Sequence, residues 1–475
     1  VLTFCCKPVP RLHHKYTIKC GDVDGCLCKF SGEVPTCLSS SPVKALKVLR
    51  YGEFGIENQI ELIKHFLETM PRLEQLTVHY DTSIDDDLMK VLSQLNNFAR
   101  EASPNCEIHS LVRLRIETLY DFVIDLAHVF LPKLKTLHLM YVVFEDVDSC
   151  LVKLISGCHV LEELVMINLH WDGYWSRSVS SKTLKRLTVR SVAGDAGPYR
   201  ISFDTTPNLV YFEYDDYVVE KYETMNFDSL VEARIGLLMT SRQIAHASYG
   251  DLVFNATNLF MGISNVQVLH LCSDTLEVLT FCCEPIPVFK NLIQLTVTTH
   301  EDLGWESLPA LLKNCPKLET LVFEGLYHRN TIKCKDADGC LCKSSEVDIR
   351  SCLSSSPVKV LKILDFGYLP CYSEENETRK VQVMYFLETM PNLEQMILYH
   401  HSLIDEDLKS QLERVLTFCC EPIPVFKNLI QLTVRTHGDL GWESLPALLK
   451  NCPKLETLSS LKYQTHILFT ASLLT

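Results

Sequence analysis

The stretch LPKLKTLHLMYVVFEDVDSCLVKLISGCHVLEELVMI, residues 131–167, carries one short apolar pattern twice. Leu134, Leu137 and Leu139 form the first copy, and the second begins at Leu161, 27 residues later. Side chains alternate between the two faces of a strand, so the last two apolar positions of each copy point into one core. Between the copies, residues 149–158 have apolar side chains three and four positions apart, which predicts a helix, and the same spacing predicts helices at 60–70, 306–315 and 380–390. The stretch therefore predicts a repeating unit of one short strand and one helix.

The same pattern recurs along the chain. Clear copies begin at Leu134, Leu161, Leu184, Leu209, Val266, Leu292 and Leu318, and weaker ones at Val43, Leu73, Leu111, Leu230, Val358, Leu393, Leu429 and Leu455. Many neighbouring copies lie 21–27 residues apart, which is the spacing of leucine-rich repeats. Strands this short are unstable alone and bury their leucines by stacking in parallel. The pattern predicts an α/β leucine-rich-repeat solenoid, a curved parallel sheet with helices on its convex side.

A small, soft apolar residue often stands three positions before the first leucine of a copy. The examples are Met70, Cys158, Cys315, Met390 and Cys452, and a proline follows four of them, at Pro71, Pro316, Pro391 and Pro453. Such a residue fills the gap where a helix meets a strand, and proline does not extend the helix. We expect these cysteines to pack in the core and to have no redox or metal-binding role.

A larger repeat is a near-identical duplication. VLTFCCEPIPVFKNLIQLTV begins at Val278 and again at Val415, and a shorter version opens the chain. The opening copy follows its counterpart only as far as Pro10 and then continues as RLHHKYTIKC, the counterpart of GLYHRNTIKC at Gly325. This arrangement indicates a recent tandem duplication or an artificial join between gene copies.

These segments resemble plant F-box/leucine-rich-repeat proteins that carry an FBD domain. The resemblance rests on LPKLKTLHL, LVKLISGCHVLEELVM, SKTLKRLTV and LLKNCPKLETLVFEGL, and for the FBD domain on SSSPVKALKVLRYGEF and ELIKHFLETMPRLEQLTV. It implies a partial repeat copy at 1–10, an FBD-like segment at 11–110, the main repeat array at 111–326, a second, truncated FBD-like segment at 327–414 and a partial repeat copy at 415–475. It also implies recruitment of a substrate to a cullin-based ubiquitin ligase. No F-box is visible, so a ligase adaptor is expected as a partner only if an F-box is encoded upstream.

Charge and composition narrow the classes of partner. The 475 residues include 45 Lys and Arg against 59 Asp and Glu, a net charge of −14. Because an acidic chain repels phosphate backbones, we expect no nucleic-acid partner. The sequence has no apolar run of roughly 18 residues, so we expect no membrane span. The 21 cysteines occur without a secretory signal, which favours free thiols and a cytoplasmic or nuclear location.

The cysteine loop CGDVDGCLC, from Cys20 to Cys28, raises the question of a metal site. Cys26 and Cys37 complete a C-x5-C-x-C-x8-C spacing, and CKDADGCLC at Cys334 repeats the loop almost unchanged. Structural zinc sites favour C-x2-C to C-x4-C spacing. The copy adds no independent support because its flanks are duplicated as well. We expect a plain loop without metal, with zinc binding as the alternative.

The strand residues between the leucines are the candidates for binding. They point away from the core, to the concave surface where solenoids usually bind partners. The candidates on this surface are His138, Arg186, Arg190, Tyr211 and Glu213. Trp171 and Trp175, in the segment HWDGYW, either form an exposed contact loop or pack back against the repeat edge. A merely solvated sheet face is the alternative to a binding surface.

Three hypotheses for function follow from the sequence. The sequence has no catalytic constellation or nucleotide-binding glycine loop, so we expect neither an enzyme nor a cofactor. The first hypothesis is an interaction module that binds an unknown protein substrate non-covalently on its concave face. The second is a non-functional or mis-joined tandem-duplication product with no partner, and the third is a zinc-binding structural module.

Overall fold

The fold comes from a computed structural model. It describes residues 2–5, 42–51, 75–80, 113–123, 131–144, 147–171, 176–191, 200–219, 221–223, 225, 227–248, 254–300, 303–304, 307–326, 355–364, 390–399, 429–436, 453–462 and 469–472. The chain divides into two compact units, Val1–Ser229 and Leu230–Thr475. Each unit is described by itself.

The first unit is built on a parallel sheet. Its elements are β1 (Leu2–Cys5), β2 (Ala45–Tyr51), β3 (Gln75–Tyr80), β4 (Arg113–Val123), β5 (Thr136–Phe144), α1 (Val147–Gly157), β6 (Glu163–Ile167), β7 (His170–Trp171), β8 (Ser176–Ser180), β9 (Arg186–Arg190), β10 (Arg200–Thr205), β11 (Tyr211–Tyr217) and β12 (Lys221–Tyr222). The sheet order is β1-β2-β3-β4-β5-β6-β9-β11, with every pair parallel, and β7 pairs with the end of β5. Strand order therefore follows chain order, as a stack of repeats requires.

The second unit repeats this plan. Its elements are β13 (Glu232–Leu238), α2 (Ser241–Ser248), α3 (Thr257–Gly262), β14 (Val268–Leu271), α4 (Ser273–Cys282), β15 (Gln294–Thr298), α5 (Leu308–Lys313), β16 (Thr320–Glu324), β17 (Val360–Leu364), β18 (Gln395–Tyr399), β19 (Gln431–Thr436), β20 (Thr457–Lys462) and β21 (Phe469–Ser472). Strands β13 to β20 pair in parallel in chain order, and β21 closes the series antiparallel to β20. The predicted leucine-rich-repeat solenoid is confirmed, since its strands pair in parallel and, in the described residues, helices α1 to α5 lie between some of them.

Every predicted copy of the leucine pattern starts a strand at the same place. In each of the fifteen copies, clear or weak, a strand begins two residues after the first apolar position. That first position is buried in all twelve copies from Leu134 onward, with exposures from 0% at Leu134 to 9% at Leu455. Periodicity alone thus places the sheet and its core.

One region differs from the strand-plus-helix expectation. Between β6 and the end of the first unit, the second layer contains a three-stranded parallel sheet of β8, β10 and β12. Phe203 from β10 packs edge-on against Phe212 of β11, with 5.1 Å between the ring centroids. The centroids of Phe203 and Phe227 are 5.9 Å apart. Aromatic and β-branched side chains such as Phe203 and Val179 suit a pleated surface better than a helix. Strands therefore replace helices where these residues fill the core.

A tight turn precedes many strands. The N–H of the first leucine donates to the carbonyl three residues earlier, as from Leu161 to Cys158 at 3.1 Å and from Leu318 to Cys315 at 3.2 Å. Pro316 therefore occupies the second position of a turn, where its fixed φ is favourable. Proline at this position does more than stop the helix, since it also sets the turn into the next strand.

The helix-end cysteines pack as predicted. Cys158 is 1% exposed, Cys315 is 0% exposed and Met390 is 3% exposed. Burial raises the pKa of the Cys158 and Cys315 thiols to about 12, so neither is ionised near neutral pH. The Cys315 thiol donates to the Leu311 carbonyl at 3.1 Å. Met70 and Cys452 lie outside the described residues.

The structure tests only some of the predicted helices and loops. The helices predicted near 149–158 and 306–315 are confirmed as α1 and α5. Both cysteine loops and the helices predicted at 60–70 and 380–390 lie outside the described residues, except for Met390. The division into five segments stays a prediction. Within the described ranges, no helix is long and apolar enough to cross a membrane.

Candidate functional site

Four neighbouring strands of the first unit direct alternate residues, most of them polar, to one face. We call this set the charged strand face, and its members lie in three rows across β5, β6, β9 and β11. The rows are Thr136, Glu163, Arg186 and Tyr211; His138, Val165, Thr188 and Glu213; and Met140, Ile167, Arg190 and Asp215. Adjacent strands are about 4.8 Å apart, so neighbours in a row are in reach of each other.

The leucine pattern explains why these residues share a face. Leu164 and Leu187, which stand between row positions, are 0% exposed because they point into the core. Strand alternation then directs their neighbours the other way. Because the strands pair without a register shift from β5 to β11, residues at equivalent repeat positions stand side by side. The sequence prediction that these residues share one face is therefore confirmed.

Glu213 is the acceptor for three neighbours. Its carboxylate receives hydrogen bonds from Arg190 Nε at 2.8 Å, from the Tyr211 hydroxyl at 2.9 Å and from Thr188 Oγ1 at 3.3 Å. Burial opposes ionisation, but the hydrogen bonds from Arg190 and Tyr211 outweigh it and lower the pKa of Glu213 below its ordinary value. Glu213 therefore stays charged and fixes the position of Arg190.

Arg186 is held from two sides. Its guanidinium carbon lies 3.9 Å from the centroid of the Tyr211 ring, a cation–π arrangement. Its Nε is 3.8 Å from Glu163 Oε1, too long for a hydrogen bond but within ion-pair range. The Arg186 side chain is still 50% exposed. Tyr211 thus joins the two arginines, since its ring lies under Arg186 and its hydroxyl bonds the partner of Arg190.

His138 lies on the other side of Glu163. Its Nε2 is 4.0 Å from Glu163 Oε2, and among the described residues this buried nitrogen has no hydrogen-bond partner. Burial lowers the pKa of His138; Glu163 opposes this, while the charges of Arg115 and Arg113 add to it. The imidazole is therefore neutral at pH 7 and is not an ionic partner of Glu163.

Two arginines that the sequence analysis did not select extend this face. Arg113 and Arg115 on β4 stand opposite Thr136 and His138 in the strand register. Arg115 Nη2 lies 3.3 Å from Met140 Sδ. The signal was present in the sequence, because the weaker repeat copy at Leu111 places both arginines at strand positions equivalent to Thr136 and His138.

Of the two tryptophan candidates, only Trp171 lies within the described residues. Trp171 ends β7, where it pairs with Phe144 of β5. Trp175 lies outside the described residues. Whether HWDGYW contacts a partner or caps the repeat edge stays a prediction.

Metal binding is tested only for part of the chain. Among the described residues, no group of three or more His, Cys, Asp or Glu side chains could hold a metal ion. The Cys20, Cys26 and Cys28 loop is outside those residues, so the zinc alternative stays open.

Comparison with known proteins decides the family. A sequence model described as Leucine Rich Repeat matches residues 133–159, within the stretch that carries the two clearest copies. The F-box/LRR-repeat protein At4g14096 of Arabidopsis thaliana is 42% identical over 418 residues, covering 80% of this chain and 86% of the relative. The chain belongs to the F-box/LRR-repeat family. The resemblance seen in the sequence is confirmed.

Other F-box/LRR-repeat relatives from the same plant match part of their length. The F-box/FBD/LRR-repeat protein At3g59240 is 69% identical over 64% of this chain. The chain spans 60% of that relative and 48% of the F-box/LRR-repeat relative At3g49150, with which it shares 58% identity. A solved TLR13–ssRNA13 complex aligns with 84% of this chain and 71% of its own, at 11% identity and a TM-score of 0.26, too low to support an argument.

Proposed function

We propose that this chain is the substrate-capturing part of a cullin-type ubiquitin ligase receptor and that it binds a protein substrate non-covalently on the charged strand face. The proposal includes a cytoplasmic or nuclear location and no chemistry of its own. Docking to the ligase would be supplied by an F-box encoded upstream. Full-length transcript sequencing tests that part, because an F-box exon must then precede the repeats.

The observation that carries the proposal is the linked set Arg186, Tyr211, Glu213 and Arg190. Arginine and tyrosine are, together with tryptophan, the residues most enriched among binding anchors in protein interfaces. Here both arginines are held by neighbours while remaining about half exposed, 50% for Arg186 and 46% for Arg190. A side chain that is already ordered loses less conformational entropy when a partner binds. These arginines are therefore ordered in advance for binding a partner, although the same contacts also occur on surfaces that bind only water.

If the cross-strand contacts of the two arginines serve only the fold, a different prediction follows. Exposed ion pairs contribute about 0–1 kcal/mol to stability, so their loss leaves a fold intact. If the arginines serve only the fold, removing them changes stability slightly and binding not at all. If they anchor a partner, removing a central arginine costs about 2 kcal/mol or more of binding free energy. Binding and stability thus separate the two roles.

The test is capture of proteins from a plant extract by wild type and by the double variant Arg186→Ala/Arg190→Ala. We expect recovery of specific partners to fall roughly 30-fold, the equivalent of 2 kcal/mol. A matched control, Lys133→Ala/Lys153→Ala, removes the same charge at two exposed positions off this face. Circular dichroism checks that both variants fold. Equal recovery of every specific partner by all three proteins would remove the charged strand face from consideration.

A further inference from the structure

The β4 side of the charged strand face carries an excess of cations. Arg113 and Arg115 extend its first two rows by one strand, and Lys47 of β2 stands in the row of Arg115, with Thr77 of β3 between them. At about 4.8 Å per strand, Lys47 and Arg115 are roughly 10 Å apart across the sheet. We call Lys47, Arg113 and Arg115 the cationic corner.

This excess runs against the charge of the whole chain. The first two rows, followed from β2 to β6, have eight described side chains: Ala45, Lys47, Arg113, Arg115, Thr136, His138, Glu163 and Val165. Three are cations and one is a carboxylate, whereas the chain has 45 Lys and Arg against 59 Asp and Glu. The third row continues with Glu117 on β4, so the excess belongs to the first two rows only.

The one carboxylate in these rows is already shared. Glu163 has Arg186 Nε at 3.8 Å on one side and His138 Nε2 at 4.0 Å on the other. The charges of Arg113 and Arg115 reach His138, whose pKa is lowered first by burial, against the pull of Glu163, and then by these two arginines. The corner therefore has a positive potential that a negatively charged partner group would complement.

The spacing of the corner indicates the form of that partner. Arg113 and Arg115 are two residues apart on one strand, so their backbone positions are about 6.7 Å apart and point to the same side. In an extended peptide, side chains two residues apart have the same spacing and direction. Arginine also binds carboxylates through paired, parallel hydrogen bonds.

We propose that the cationic corner is a subsite for an extended acidic peptide segment whose Asp or Glu side chains, two residues apart, bind Arg113 and Arg115. The proposal rests on the proposed function, because the segment belongs to the captured protein. Arg186, which lies over the buried Tyr211 ring, then contacts a neighbouring residue of the same segment. Specificity for acidic segments arises at β4, and general anchoring arises at β9 and β11.

The test is selection of a random-peptide display library on the full chain. Three immobilised proteins are compared: wild type, Arg113→Gln/Arg115→Gln and the charge-matched control Lys133→Gln/Lys153→Gln. We expect peptides selected on wild type and on the control to be enriched in acidic residues at i and i+2. The arginine variant should lose that enrichment, and its affinity for the best selected peptide should fall at least tenfold. Thermal melts check that each variant folds.

Each other outcome has a definite meaning. Peptides from wild type that are no more acidic than the input library would overturn the proposal, as would enrichment that survives in the arginine variant. Displacement of the best peptide by inorganic phosphate, but not by sodium chloride of equal ionic strength, would assign the corner to a small anion and overturn the peptide subsite. A fourth protein, Arg186→Ala/Arg190→Ala, separates the two proposals. If it alone loses the peptides, the face binds protein but the acidic subsite is wrong; if no variant loses them, the proposed function fails as well.

Discussion

Replacing Cys158 by aspartate tests how strictly the junction between helix and strand excludes charge. The thiol lies at the end of α1, is 1% exposed, and begins the turn that leads to Leu161. Burial raises its pKa from 9.0 to about 12. At 1.36 kcal/mol per pKa unit, a negative charge at this place is disfavoured by roughly 4 kcal/mol. We expect Cys158→Asp to lose about that much unfolding free energy at pH 8.

The pH dependence of this loss identifies its cause. A carboxyl in this site would have its pKa raised from about 3.9 towards about 7, because burial disfavours the anion. A group whose pKa is raised on folding loses stability as pH rises, since the unfolded chain releases the proton first. The deficit of Cys158→Asp should therefore be smallest near pH 4, grow between about pH 4 and 7, and be complete above that range.

Matched variants separate charge from size and polarity. Cys158→Asn has nearly the shape of the aspartate variant without its charge, so its deficit should not depend on pH. Cys158→Ala removes only the sulfur and should cost about 1–2 kcal/mol. Urea denaturation at pH 4, 6 and 8 measures all three against wild type. Equal losses for the aspartate and asparagine variants at pH 8, or rapid reaction of Cys158 with a thiol reagent in the native protein, would refute the reasoning.

Two further predictions concern a buried hydroxyl and the cysteine loop. Thr275 is 0% exposed, accepts from the Leu237 N–H at 2.8 Å and donates to the Ile235 carbonyl at 3.0 Å, so Thr275→Val should cost about 1–3 kcal/mol in urea denaturation. Thr280→Val on the exposed side of the same helix is the control, and we expect it to change stability by less than about 0.5 kcal/mol; equal losses would contradict this. Replacing Cys20, Cys26 and Cys28 by serine should leave the melting temperature unchanged, and elemental analysis of the wild type should find no stoichiometric zinc. One zinc per loop, lost in the variant, would establish the zinc-binding alternative.

The strands were predictable because one physical requirement fixes them. A short parallel strand is stable only if its apolar residues enter the shared core, so the leucine pattern marks both the strand and its direction. Even the weak copies at Val43 and Leu111 are followed by strands, β2 and β4. The face of each polar residue then follows from alternation, which placed Arg186 and Glu213 on one surface from sequence alone.

Local sequence does not predict the structure of a segment whose conformation depends on the residues and strands around it. The segment LTFC is strand β1 at Leu2–Cys5, yet the same four letters end helix α4 at Cys282. In α4 the residues from Ser273 precede the segment and supply the first turns of the helix, whereas at Leu2 the segment pairs with β2. Tertiary pairing overrides a weak intrinsic preference. Duplicated sequence therefore does not imply duplicated structure.

The pairing of side chains within the candidate site could not be predicted from the sequence either. Alternation shows that Arg186, Arg190 and Glu213 share a face, but which pairs form depends on side-chain conformations across three strands. Arg190 bonds Glu213 on the next strand, whereas Arg186 stacks on the ring of Tyr211. Two arginines two residues apart thus have different surroundings. Arg190 is tied to a carboxylate that ionises readily, while Arg186 lies over an aromatic ring and 3.8 Å from Glu163. Arg186 makes the longer contact to its carboxylate. Of the two arginines it is therefore better able to exchange that contact for one with a partner.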